Sequence, residues 1–148
     1  MNQMIWSGER DPRTVPLPKL IELRPLTAAD VPAMLELTAL TEPGPFGPST
    51  RKLGEFFGIF AGGRLLAMAG QRLRLPGFVE ISAVCTHPEA RGHGYARALV
   101  SEVVGSILRM GATPFLHVFS ANDAAIRVYE GVGFMRRRSL QLAVIKPL

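Results

Sequence analysis

The residues of this chain best suited to chemistry cluster in Arg91-Gly92-His93-Gly94-Tyr95-Ala96-Arg97, where two glycines lead into a helical pattern. Backbone N–H groups at a helix start have no partner within the helix. They point outward with the positive end of the helix dipole behind them, which suits a phosphate. Gly92 and Gly94 let that backbone come close to a ligand. Arg91 and Arg97 add positive charge on the two sides of the turn, and His93 can donate to a phosphate oxygen. An ordinary capped helix start has the same pattern. The stretch lacks the third glycine of the dinucleotide fingerprint and the Gly-Lys-Ser/Thr ending of nucleotide-triphosphate loops. Asn122 and Tyr129 stand seven residues apart, nearly two helical turns, and so share one helix face. A phenol has a pKa of about 10 and holds its proton at neutral pH. Glu80 is a carboxylate in an otherwise apolar strand. Each has a plain structural alternative: Tyr129 as an aromatic packed on a sheet, Asn122 as a helix cap, Glu80 as a solvent-facing strand residue.

The elements that must position these groups follow from periodicity and turn residues. Residues 1–18 read as irregular, because Pro12, Pro16 and Pro18 interrupt regular structure. Lys19 to Arg24 reads as a first strand. Thr27, with Asp30 three residues on, caps a helix whose apolar face is Val31, Met34, Leu35 and Leu37. Glu42 to Pro48 is too rich in proline and glycine to be anything but a loop. Glu55 to Ala61 and Arg64 to Leu73 are strands joined by a Gly62-Gly63 hairpin turn. Pro76-Gly77 turns the chain into a third strand, Phe78 to Thr86. Ala96, Leu99, Val100, Val103, Ile107 and Met110 then recur at helical spacing, with a stop at Gly111. Phe115 to Phe119 is a short strand, Asn122 caps a last helix to about Gly131, and Phe134 to Ile145 returns as strand. This order defines a mixed α/β (α+β) domain.

Bulk properties narrow the class. The chain has 148 residues, 47% apolar and 20% charged, the profile of a globular domain. A single Cys85 excludes an internal disulfide, and a reducing, cytoplasmic compartment is expected. No apolar run reaches the length of a membrane-spanning helix. The net charge of +5 suits an anionic ligand such as coenzyme A or nucleic acid, or simply keeps the protein soluble. Interleaved exposed aromatics and a recognition-helix pattern are missing, so nucleic acid is not expected as a partner. His87, His93 and His117 lack metal-ligand spacing, and no metal is expected. Arg136-Arg137-Arg138 reads as a solvated face, or as a lure for an acidic acceptor.

Two blocks together carry a resemblance. Arg91-Gly92-His93-Gly94-Tyr95-Ala96 fits Arg/Gln-x-x-Gly-x-Gly/Ala, and Val84-Cys85-Thr86-His87-Pro88 precedes it. Ser120-Ala121-Asn122-Asp123-Ala124-Ala125-Ile126-Arg127-Val128-Tyr129-Glu130-Gly131-Val132-Gly133-Phe134 follows in the right order and spacing. The chain thus resembles the GCN5-related N-acetyltransferases (the GNAT superfamily). Glu80-Ile81-Ser82-Ala83-Val84-Cys85-Thr86 is closest to its FR47-like branch.

The resemblance implies a mostly antiparallel central sheet with a splayed strand, flanked by helices, and residues 19–148 as one acyl-CoA N-acyltransferase domain. It implies that backbone groups of Val84, Cys85 and Thr86 pair with the pantetheine arm of acetyl-CoA. Arg91, Gly92, His93, Gly94, Tyr95, Ala96 and Arg97 would hold the pyrophosphate, and Asn122 and Ala125 would line the arm. Tyr129 would be the general acid that protonates the departing thiolate, and Glu80 the base that deprotonates the amine. A backbone N–H near Val84 would polarise the thioester carbonyl. Transfer would be direct, to a small-molecule or peptide amine. A ping-pong role for Cys85 is not expected, since a small thiol in a strand is packing. An acyl-CoA-binding module without catalysis is the competing reading. Tyr129 and Glu80 together favour the enzyme. The family places two antiparallel strands after the position of Phe134, where this sequence has 14 more residues. An open pocket, or a homodimer that completes it, is therefore expected.

Overall fold

One sheet of seven strands organises the computed structural model, which describes residues 1–8, 12, 15–143 and 145–148. The strands are β1 (Asn2–Trp6), β2 (Ile21–Pro25), β3 (Phe56–Ala61), β4 (Arg64–Leu75), β5 (Phe78–Thr86), β6 (Thr113–Val118) and β7 (Phe134–Ser139). The helices are α1 (Val31–Thr41), α2 (Tyr95–Arg109) and α3 (Asp123–Val132). The sheet order is β2-β3-β4-β5-β6-β1-β7. Every neighbouring pair is antiparallel except β5 and β6.

Local chemistry sets most boundaries. Asp30 Oδ2 accepts from the Thr27 backbone N–H at 2.7 Å and from Arg24 at 2.9 Å, so the helical segment opens on a satisfied cap. Gly62 and Gly63 both take positive φ, 55° and 79°, which matches the twist of the β3–β4 hairpin. Gly111, at φ 76°, follows α2 and ends it.

The structure corrects the sequence at both ends of the chain. Residues 1–18 are not wholly irregular: Asn2–Trp6 is β1, inserted between β6 and β7 with Met4 only 1% exposed. The prolines at 12, 16 and 18 all lie beyond this strand and do not oppose it. The last strand stops at Ser139 rather than Ile145, and the described residues from 140 on carry no strand. Leu140 N–H donates to the Met1 carbonyl at 2.6 Å, which closes the β7 end against β1. Of the two strands expected after Phe134 only β7 forms among the described residues, and β1 lies between it and β6.

Helices α2 and α3 cover one face. Their side chains Leu99, Val103, Ile107, Tyr129 and Val132 join Val79, Ile81, Leu116, Met4 and Phe134 from the strands in one buried cluster. Helix α1 covers the opposite face over β3, β4 and the far end of β5, where Met34 and Leu37 meet Phe56, Phe60, Met68 and Cys85. Among the described residues, no helix covers that second face over β6, β1 and β7.

Candidate active site

Parallel strands β5 and β6 pair only through Phe78–Ile81 and Thr113–Leu116. Past Ile81 and Leu116 they part, while β5 stays bonded to β4. The cause is in β5. Met68 opposes Cys85 and Gly70 opposes Ser82, so β5 carries one extra residue across that step. Ala83, within the bulge, takes φ 55°, a left-handed backbone that a residue with a Cβ adopts at a cost. The expected splayed strand is therefore present. It leaves the β6-facing edge of the segment containing Val84, Cys85 and Thr86 without a ladder partner.

Beyond the splay the chain turns into α2. Gly92 (φ 83°) and Gly94 (φ 77°) are both left-handed, and Gly94 is the N-cap. A Cβ on either would meet no heavy atom within 4 Å, so this backbone faces open space. Among the described residues, no N–H from Gly92 to Arg97 donates to a protein acceptor. That is a cradle of free donors at a fifteen-residue helix, and it fits a diphosphate. The side chains behave less uniformly. His93 Nδ1 lies 3.1 Å from the Ala90 carbonyl and its ring stacks on Tyr95, so His93 shapes the turn. Tyr95 is buried in the core. Arg97 leans to α3, donating to the Gly131 carbonyl at 3.4 Å.

Helix α3, packed against α2 and β7, carries Asn122 at its N-cap and Tyr129 in its last turns. Asn122 Oδ1 accepts from the Ala125 N–H at 3.2 Å, so the residue is a cap. Tyr129 is 8% exposed and packs edge-on to Phe134, with ring centroids 6.2 Å apart. Burial pushes its phenol up to about 12. Its hydroxyl has no protein hydrogen-bond partner among the described residues. Burial likewise pushes the Cys85 thiol up to about 11, against a nucleophilic role.

Glu80 is the least expected of the predicted residues. It is 1% exposed, which removes the solvent-facing alternative. Arg72 Nε donates to Oε1 at 2.7 Å and Arg72 Nη2 to Oε2 at 3.1 Å. His117 Nδ1 lies 2.6 Å from Oε2. Gln3 Nε2 lies 3.2 Å from His117 Nε2, and Arg137 Nη1 donates to Gln3 Oε1 at 2.7 Å. Five side chains from five strands thus form one chain of hydrogen bonds. Of these, only Glu80 was singled out as a catalytic candidate from sequence. The signal for His117 was the same as for Glu80, a titratable residue in an apolar strand. Next to this network, Pro43, Gly44, Pro45 and Thr50 face Arg72, Ser82 and Ala83 across a shallow, solvent-open cleft. The proline-rich loop therefore walls one side of the splay.

Among the described residues no cluster of His, Cys, Asp and Glu could hold a metal ion, and no helix is long and apolar enough to cross a membrane.

A seven-stranded sheet parted beside a glycine-capped helix is the framework of a GNAT-type acetyltransferase, and the comparisons give the same class. The FR47-like protein family model matches residues 56–142. The chain belongs to the FR47-like branch of the GNAT superfamily and is an acetyltransferase of that type. It is 34% identical over 122 residues to the N-alpha-acetyltransferase RimI of Mycobacterium tuberculosis, covering 75% of this chain and 76% of that protein. A GNAT-family acetyltransferase structure from Novosphingobium aromaticivorans superposes with TM-score 0.81 and 40% identity over 93% of this chain. The chain spans only 59% of the length of that protein. The ribosomal-protein-S18-alanine N-acetyltransferase of Escherichia coli shares the fold, with TM-score 0.66 and 24% identity over 76% of each chain.

Proposed function

We propose that this protein transfers the acetyl group of acetyl-CoA directly to a primary amine, the α-amine of a peptide or protein N-terminus being the preferred class. The observation that carries the reading is the row of unpartnered N–H groups from Gly92 to Arg97, set beside the gap between β5 and β6. Acetyl-CoA supplies an activated acetyl group and a thiol leaving group. The chain's residues do the rest. The turn Gly92–Arg97, with Arg91, holds the diphosphate through backbone donors and positive charge. The unpaired edge at Val84, Cys85 and Thr86 offers backbone groups to the pantetheine arm, with Asn122 and Ala125 opposite. A backbone N–H near Val84 stabilises charge growing on the carbonyl oxygen. Tyr129 keeps its proton throughout the physiological range and donates toward the departing sulfur. The cleft beside Arg72, Ser82 and Ala83 receives the amine.

The preference for an N-terminal α-amine rests on the likeness to the RimI enzyme of Mycobacterium tuberculosis, whose name states that specificity. A cytoplasmic location agrees with a supply of acetyl-CoA. Calorimetry with acetyl-CoA, followed by a panel of amines with thiol release as the readout, tests the proposal. Saturable uptake and turnover on N-terminal peptides are expected. Absence of uptake by folded protein overturns the donor assignment, and turnover confined to small non-peptide amines overturns the acceptor class.

A further inference from the structure

The carboxylate of Glu80 is fully engaged, so the proton from the acceptor must go elsewhere. Arg72 takes both its oxygens and His117 shares one of them. Hydrogen-bond logic then fixes the imidazole. Arg137 donates to Gln3 Oε1, which turns the Gln3 NH2 group toward His117. A donor facing His117 Nε2 requires a lone pair there. The ring proton therefore sits on Nδ1 and points at Glu80 Oε2, 2.6 Å away.

The location suits a base. His117 is the first β6 residue past the last β5–β6 pair, at the point where the strands part. Its neighbours Leu116 and Val118 are buried in the cluster under α2 and α3, so His117 lies on the other face of the sheet, the one that carries Glu80. Its side chain keeps 21% exposure, against 2% for Glu80. The groups facing it are Glu80 from β5, Gln3 from β1 and the edge of the Phe115 ring on its own strand. Arg72 of β4 and Arg137 of β7 stand one bond further out.

We propose that His117 is the catalytic base of this enzyme and that Glu80 is its positioning residue. This rests on the acetyl-transfer reading above and deepens it. His117 Nε2 exchanges its long contact with Gln3 for the α-ammonium of the acceptor and takes one proton from it. The freed lone pair forms the N–C bond as the C–S bond breaks. The second proton lost by nitrogen restores the Tyr129 phenol after that phenol has protonated the departing thiolate, and His117 returns its own proton to water. One proton is released per turnover. Glu80 keeps the Nδ1–H tautomer in place and steadies the imidazolium.

The test compares wild type with His117→Asn, whose side-chain N–H can still reach Glu80, using acetyl-CoA and an alanyl tetrapeptide amide from pH 6 to 10. We expect unchanged acetyl-CoA uptake by calorimetry. At pH 6.5 kcat/KM for the peptide should fall about 100-fold. The deficit should shrink above about pH 8, where an α-amine loses its proton unaided. Nitrogen-15 correlation spectra of wild type should show His117 as the Nδ1–H tautomer, independently of turnover. A deficit equal at every pH, no deficit, or an Nε2–H tautomer overturns the proposal. A wild type that takes up acetyl-CoA but never acetylates the peptide also overturns it, for this acceptor. A wild type that takes up no acetyl-CoA refutes the enzyme reading beneath it.

Discussion

Tyr129→Phe removes one oxygen and leaves the ring. The structure sets what that oxygen does and does not do for the fold. The phenol makes no protein hydrogen bond among the described residues, and the edge contact with Phe134 at 6.2 Å needs only the ring. Stability at neutral pH should therefore change by less than about 1 kcal/mol. Turnover should change far more. Burial holds the phenol at about 12, so it keeps its proton at neutral pH. Removing a positioned acid of this kind costs about 10²- to 10⁴-fold, or roughly 3 to 5 kcal/mol of barrier. Steady-state kinetics by thiol release, with calorimetric titration of acetyl-CoA on the same preparation, reads both quantities. The expected outcome is a large fall in kcat with donor affinity within about threefold of wild type. A variant that turns over within a factor of two of wild type would remove Tyr129 from the proton transfer. One that loses acetyl-CoA affinity in step with rate would make it a binding residue instead.

The same phenol predicts alkaline behaviour. Its folded pKa lies near 12 and its unfolded value near 10, so the folded state holds more protons between them. The stabilisation is whole below about pH 10 and is lost as pH rises to about 12. The loss amounts to roughly 2 to 3 kcal/mol by linkage. Denaturant melts should show wild type falling below Tyr129→Phe over that window, and parallel curves would contradict the burial argument. Gly94→Glu places a β-carbon on a left-handed residue and a negative charge among the free N–H groups. Acetyl-CoA uptake should vanish in calorimetry while circular dichroism still reports a folded protein, and retained uptake would displace the phosphate-loop assignment. Met4→Ala empties a fully buried position on β1 and should destabilise by about 2 to 5 kcal/mol. A loss below about 1 kcal/mol in urea melts would mean that β1 is not an integral strand.

Much of the fold was legible from residue order because local physics dictates it. The Gly62-Gly63 hairpin, the Thr27–Asp30 cap, the span of β5 and the α2 stripe were each written in a few consecutive residues. So was the glycine turn, since left-handed backbone at 92 and 94 favours glycine. Tertiary structure decided three other matters. Strand β1 exists because β6 and β7, more than a hundred residues away, offer it backbone partners on both sides, and a five-residue segment with no turn signal does not announce that. Strand β7 stops where β1 runs out. The state of Glu80 was settled by Arg72, His117, Gln3 and Arg137, brought together from separate strands. Sequence alone could mark a carboxylate in an apolar strand. Only the folded sheet, by bringing an arginine and an imidazole against it, determines which lone pair is left to accept a proton.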